Sequence, residues 1–161
     1  MPAPSELQPQ YYLGIDPGQN GGIAVVDQDG NCTSLVRMPE TEQDILCAIP
    51  YGDTIALGMI EKVHSMPGQG VSSTFKFGCG YGGLRMAMAA LAIKFDEVSP
   101  QRWQKALGVV PRDTKTESKR DHKTKLLAKA QQLFPNANVT RHTADALLIA
   151  EYTRRKCLGL L

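Results

Sequence analysis

Over the first hundred residues the apolar positions fall in short runs separated by turn residues; beyond that they recur at helical spacing. The run Tyr11-Tyr12-Leu13-Gly14-Ile15 is too short for a typical helix and reads as a buried strand that delivers Asp16 into the glycine-rich turn Pro17 to Gly22. Ile23-Ala24-Val25-Val26 follows as its hairpin partner, and the Asp29-Gly30 turn signal leads into a third strand at Thr33 to Arg37. From Pro39 to Ile49 acids come early and apolar residues late, which predicts a short helix whose N-terminal dipole meets negative charge. Ile55 to Ile60 is a fourth strand and hands over Glu61 as the first hands over Asp16. Leu84, Met88 and Leu91 lie at helical spacing in a helix that starts near Ser72 or Gly82 and runs to Ile93; with the later start, Ser73 to Phe77 reads as a strand. Phe95 to Val98 is a last strand, Ser99 an N-cap before Pro100, and Pro100 to Leu107 a short helix. Two longer helices complete the chain, from about Ser118 to Phe134, stopped by Pro135, and from about Thr140 to Leu158. The elements predict an α/β fold, a five-stranded mixed sheet flanked by helices, as one domain over residues 11–161 behind a disordered tail at 1–10.

Length agrees with that division, because 161 residues suit one domain of roughly 100 to 200. A net charge of +2 is weak evidence for a polyanionic partner, but its distribution says more. Six Lys or Arg stand against three acids between Arg112 and Lys125, whereas the N-terminal part is acidic, so a local phosphate-contacting surface is expected. A bare basic run is more often a solvated face than a binding surface. The four cysteines lack the paired spacing of structural zinc and read as reduced, structural thiols of a cytoplasmic protein. The proline-bearing N-terminus carries no secretory signal, and the longest apolar run, Met86 to Ile93, falls far short of the ~20 residues that span a bilayer, so no membrane role is expected.

Four residues carry the candidate chemistry: Asp16, Glu61, His142 and Asp145. Asp16 before Pro-Gly is also ordinary turn chemistry. Glu61 is harder to dismiss, since a carboxylate ending an apolar strand is disfavoured unless paired, and Lys62 points to the other face. His142 alone reads more readily as structural. Asp145, among Ala144, Ala146, Leu147 and Leu148, is the sharper oddity, and a helix beginning near Thr140 would put it on one face with His142. If the two strands are neighbours and that helix crosses them, the four converge as an oxygen-rich site for hard divalent cations. Gly78-Cys79-Gly80-Tyr81-Gly82-Gly83 satisfies G-x-G-x-x-G but lacks the preceding first strand of a βαβ unit, so no nucleotide cofactor is expected; close helix packing, within the chain or with a second subunit, is the better reading.

In order and spacing, Gly14-Ile15-Asp16-Pro17-Gly18, Ile60-Glu61 and His142-Thr143-Ala144-Asp145-Ala146 resemble the motifs of RuvC family Holliday junction resolvases, from about Tyr12 to the C-terminus. Pro67 to Ser73 and His122 to Leu126 look most like the phage-encoded members. The resemblance implies an RNase H-like fold, a homodimer, and a bacterial or phage-infected cytoplasm. It implies two Mg²⁺ or Mn²⁺ ions held by Asp16, Glu61, His142 and Asp145, and paired nicks in four-way DNA leaving 5′-phosphates. On that reading Lys115, Lys119, Arg120 and Lys123 contact DNA, with Lys119 and Lys123 near the scissile phosphate, and His64, Gln69 and Ser72 belong to a loop region that enters the open junction. His64, Met66 and Phe75 are the candidates for an aromatic wedge of the kind some members carry. A junction-binding protein without cleavage, and a nuclease of the same fold acting on RNA–DNA hybrids, are the competing readings.

Overall fold

Strand β1 (Tyr11–Asp16) pairs antiparallel with β2 (Gly22–Asp27) and parallel with β4 (Ile55–Glu61) in the computed structural model, which describes residues 10–50, 52–63, 68 and 70–161. β3 (Cys32–Arg37) extends the meander and β5 (Phe95–Val98) adds a parallel edge, giving one mixed five-stranded sheet in the order β3-β2-β1-β4-β5. The helices are α1 (Glu42–Ala48), α2 (Val71–Ala90), α3 (Pro100–Ala106), α4 (Lys119–Leu133) and α5 (Ala144–Leu158). Caps fix several boundaries: Thr41 accepts from the Asp44 N–H ahead of α1, and Ser118 from the Asp121 N–H ahead of α4. Ser99 occupies the N-cap position of α3, but its side chain makes no capping bond.

Alternation along the strands divides the core in two. Tyr12, Ala24, Val26 and Met59 pack under α5 with Trp103, Leu126 and Phe134, while Leu13, Ile15, Ile23, Val25 and Ile60 pack on the other face against Leu84 and Met88 of α2. α5 lies so close to β1 that a Cβ on Gly14 would collide with Ala146 O and Ala150 N. The small residues of α5 permit this approach, and every residue from Ala144 to Thr153 is buried.

Three expectations change. Ser73 to Phe77 belongs to α2, not to a strand. Among the described residues no strand lies beside it, and the stretch satisfies its own backbone as helix, the Thr74 N–H donating to Gly70 O. α5 begins at Ala144, not near Thr140, because Thr140 to Thr143 close a separate turn: the Thr143 and Ala144 N–H groups donate to Thr140 O, and the Thr140 N–H donates to Thr143 Oγ1 at 3.0 Å. The cysteines are free, but only Cys32 is partly buried, so Cys47, Cys79 and Cys157 are exposed thiols, contrary to the structural role expected. Among the described residues no helix is long and apolar enough to cross a membrane. Residues 1–9 of the expected tail lie outside the described residues.

Candidate active site

The same alternation that buries the core aims the acids. Tyr12, Gly14 and Asp16 share a face of β1, and Met59 and Glu61 share a face of β4, so both terminal carboxylates point to the side covered by α5. Parallel pairing of Ile15 with Ile60 sets the two strand ends side by side. The turn after Asp16 folds back on it: Gly18 has φ +106°, and a Cβ on Gly21 would strike Asp16 O. Asp145, in the first turn of α5, is held over these strand ends by the close α5–β1 packing.

Burial and like charge shape the electrostatics. Burial pushes the Asp16 carboxyl well above the usual range, and the charges of Asp145 and Glu61 push it further. Glu61 is pushed up to about 7, chiefly by burial, with a Trp103 hydrogen bond opposing the rise and Asp145 adding to it. The compensating charge is Lys123, whose ammonium donates to Asp145 Oδ2. Burial opposes the charge on Lys123, but Asp145, Asp16 and Glu61 outweigh it and hold the amine above its ordinary value. Asp145 Oδ1 is buried without a hydrogen-bond partner.

Three carboxylates against one ammonium leave an excess of hard oxygen donors, and a buried carboxylate oxygen lacks a partner; that is chemistry a divalent cation satisfies. The side chains are gathered without being closed on a common point: among the described residues no three His, Cys, Asp or Glu groups already form a metal cluster. Lys123 lies where the positive charge is needed.

His142 sits on the turn before α5, so it does not share a helical face with Asp145 as expected. It nonetheless lines the open pocket that contains Asp16, together with residues 17–21, Lys119, Arg120, Lys123 and Arg141. Its Nδ1 is 3.2 Å from the Asn20 carbonyl. The tautomer that donates this bond leaves Nε2 with its lone pair, the arrangement common for a metal-ligating or proton-accepting imidazole. Arg141 entered the pocket unannounced, since an arginine on a turn gives no sequence signal of where it faces.

Of the expected DNA contacts, Lys119, Arg120 and Lys123 line this pocket. Lys115 and Ser72 are exposed and do not. His64, Met66 and Gln69 lie outside the described residues, and Phe75 is exposed in the first turns of α2. The rest of the basic run has structural partners: Lys125 pairs with Glu117 at 2.5 Å, the Arg112 Nε–H donates to Glu117 O, and buried His122 bridges Glu117 and Gln104. Trp103 is core, and its indole also reaches Glu61. The glycine-rich decoy lies wholly inside α2, with no phosphate-cradling turn, and a Cβ at Gly78, Gly80, Gly82 or Gly83 would meet nothing within 4 Å, so these glycines serve no close packing within the chain.

No protein-family model matches the chain, and no curated protein matches it in sequence. Among solved structures it is similar to RuvC of T. thermophilus in complex with a Holliday junction substrate, with TM-score 0.65 at 16% identity over 94% of this chain and 98% of that one. A second Thermus thermophilus RuvC structure gives TM-score 0.63 at 15% identity over the same shares. The likeness is one of fold: the chain carries the RNase H-like fold of RuvC along nearly its whole length.

Proposed function

We propose that the protein is a metal-dependent endodeoxyribonuclease that resolves four-way and related branched DNA junctions by paired nicks, in DNA recombination, repair or phage DNA processing. The observation that carries this reading is the gathering of Glu61 and Asp145 beside Asp16, which itself lines a pocket with Lys119, Arg120, Lys123 and Arg141. A fold shared with a RuvC bound to a Holliday junction substrate supports the choice of branched DNA.

Asp16, Glu61 and Asp145, with His142 at the rim, are the residues that would hold Mg²⁺ or Mn²⁺. Two such ions bound there would supply an activated water for in-line attack and would neutralise charge on the departing 3′ oxygen. Lys119, Arg120 and Arg141 draw the phosphate backbone over the acids, which would otherwise repel it. Lys119 also begins α4, where free backbone N–H groups add to the attraction. Lys123, whose ammonium is held by Asp145, lines the same pocket and would contact the scissile phosphate there. With Nδ1–H donated to Asn20, His142 offers Nε2 as a ligand or as the acceptor of a water proton.

A homodimer fits this reading, because symmetric nicks need two sites related by a two-fold axis. α2 supplies a face for it: Phe75, Cys79, Gly82 and Met86 form an exposed stripe at helical spacing, with Phe75 72% and Met86 68% exposed.

The deciding experiment incubates end-labelled mobile four-way junctions with the protein, with and without Mg²⁺, and maps the nicks. Paired, symmetric, Mg²⁺-dependent nicks with 5′-phosphate ends are expected. Asp16→Asn, Glu61→Gln and Asp145→Asn should each abolish nicking while leaving junction binding largely intact. Binding without cleavage under all metals would favour a junction-binding protein, and preferential cutting of RNA–DNA hybrids would favour the other nuclease.

A further inference from the structure

We propose that Trp103 is a positioning residue for Glu61: its indole N–H holds Oε2 of the carboxylate and so reserves Oε1 for the bound cation. The inference rests on the metal-dependent reading above. Trp103 is fully buried on α3, and its Nε1 stands 2.8 Å from Glu61 Oε2 across a sequence separation of 42.

An indole N–H is a donor only, and once buried it requires an acceptor. Glu61 is an acceptor with a reason to leave. It shares its surroundings with Asp16 and Asp145, whose like charges favour swinging a flexible side chain outward to solvent. A rigid, close-packed donor opposes that escape. It also breaks the symmetry of the carboxylate, since one oxygen is engaged before any cation arrives.

The arrangement extends along α3. The amide oxygen of adjacent Gln104, also buried, accepts from the His122 Nε2–H at 3.1 Å, and His122 precedes Lys123 on α4. One short helix therefore contacts both the acid of β4 and the helix that carries the site's ammonium. Burial obliges the N–H to find an acceptor, and the one it meets is the carboxylate that ends β4.

Trp103 is the one tryptophan in the chain, so its indole ¹H–¹⁵N resonance is assigned without further work. Mn²⁺ binding is measured by the loss of the free-ion EPR signal for wild type, Trp103→Phe and Glu61→Gln, each confirmed folded by circular dichroism. Trp103→Phe keeps an aromatic ring and deletes the N–H; it should weaken Mn²⁺ binding ~10- to 100-fold, the range for loss of a group that orients a metal ligand. Saturating metal should restore most of its nicking. In the wild type, Mg²⁺ should shift the indole resonance along a curve with the same midpoint as metal binding, a readout that stands even if Trp103→Phe fails to fold. Equal Mn²⁺ affinity in wild type and Trp103→Phe, or an indole resonance unmoved by saturating Mg²⁺, overturns the role of Trp103 alone. A wild type that binds no Mn²⁺, or binds it no better than Glu61→Gln, overturns the assignment of Glu61 to a metal site itself.

Discussion

Glu61 bears the clearest consequence of bringing acids together. Its pKa, about 7 against an ordinary 4.5, means that the folded, metal-free protein takes up a proton more readily than the unfolded chain. The stability so gained is complete below about 4.5 and is lost as pH rises through about 7. Asp16, raised by burial and by its neighbours, acts in the same direction. Metal-free protein should therefore melt several degrees lower at pH 8 than at pH 5.5, and Glu61→Gln should remove much of that slope. Saturating Mg²⁺ should reverse the trend, because the ionised carboxylates are the ones that bind. A melting temperature independent of pH across this interval in the metal-free wild type would contradict the strained carboxylate cluster. The acids at Asp27, Asp113 and Glu117 do not confuse the test, since their pKa values are lowered and their contributions are lost only at more acidic pH.

At the level of elements, the β1–α5 contact positions the site. Gly14 lies two residues before Asp16, on the same face, and its missing side chain is what lets Ala146 and Ala150 approach. Asp145 rides on that helix, so the separation between strand and helix sets the separation between two of the three acids. Gly14→Ala forces backbone apart, which flexible side-chain ends cannot absorb. The cost should reach or exceed the upper end of the ~1–3 kcal/mol typical of overpacking, read from denaturant unfolding. Metal affinity should fall as well, without any change to an acidic residue. Full stability in Gly14→Ala would mean that α5 can lift away freely.

For the whole molecule, the exposed stripe on α2 is the feature a single chain leaves unexplained. A side chain at Gly82 meets nothing within 4 Å, so in an isolated protomer Gly82→Gln should stabilise the helix by about 0.5–1 kcal/mol, as a better helix former replaces glycine. Across a close helix–helix contact the same side chain would be in the way. Sedimentation should find the wild type dimeric at micromolar concentration and Gly82→Gln shifted toward monomer. A wild type that sediments as a fully active monomer would remove the two-fold arrangement from the proposed mechanism.

Local pattern determined much of this protein. Short apolar runs bounded by turn residues placed the five strands, caps and prolines placed α1, α3 and α4 to within a few residues, and the two acids at strand ends could be picked out because a carboxylate finishing an apolar run is costly without a partner. What sequence separation hides was decided by tertiary structure. Ser73 to Phe77 has strand-like composition, yet it forms early turns of α2 and not part of the sheet. The Thr140–Thr143 hydrogen bonds that delay α5 look in sequence like a plausible first helical turn, and they move His142 off the helix onto the pocket rim. Lys123 facing Asp145, Lys125 facing Glu117 and the indole of Trp103 reaching Glu61 are pairings across 22, 8 and 42 residues. Composition offers those charges and donors; the packing of α3, α4 and α5 against the sheet determines which of them meet, because a hydrogen bond or an ion pair is a matter of ångströms that spacing along the chain does not encode.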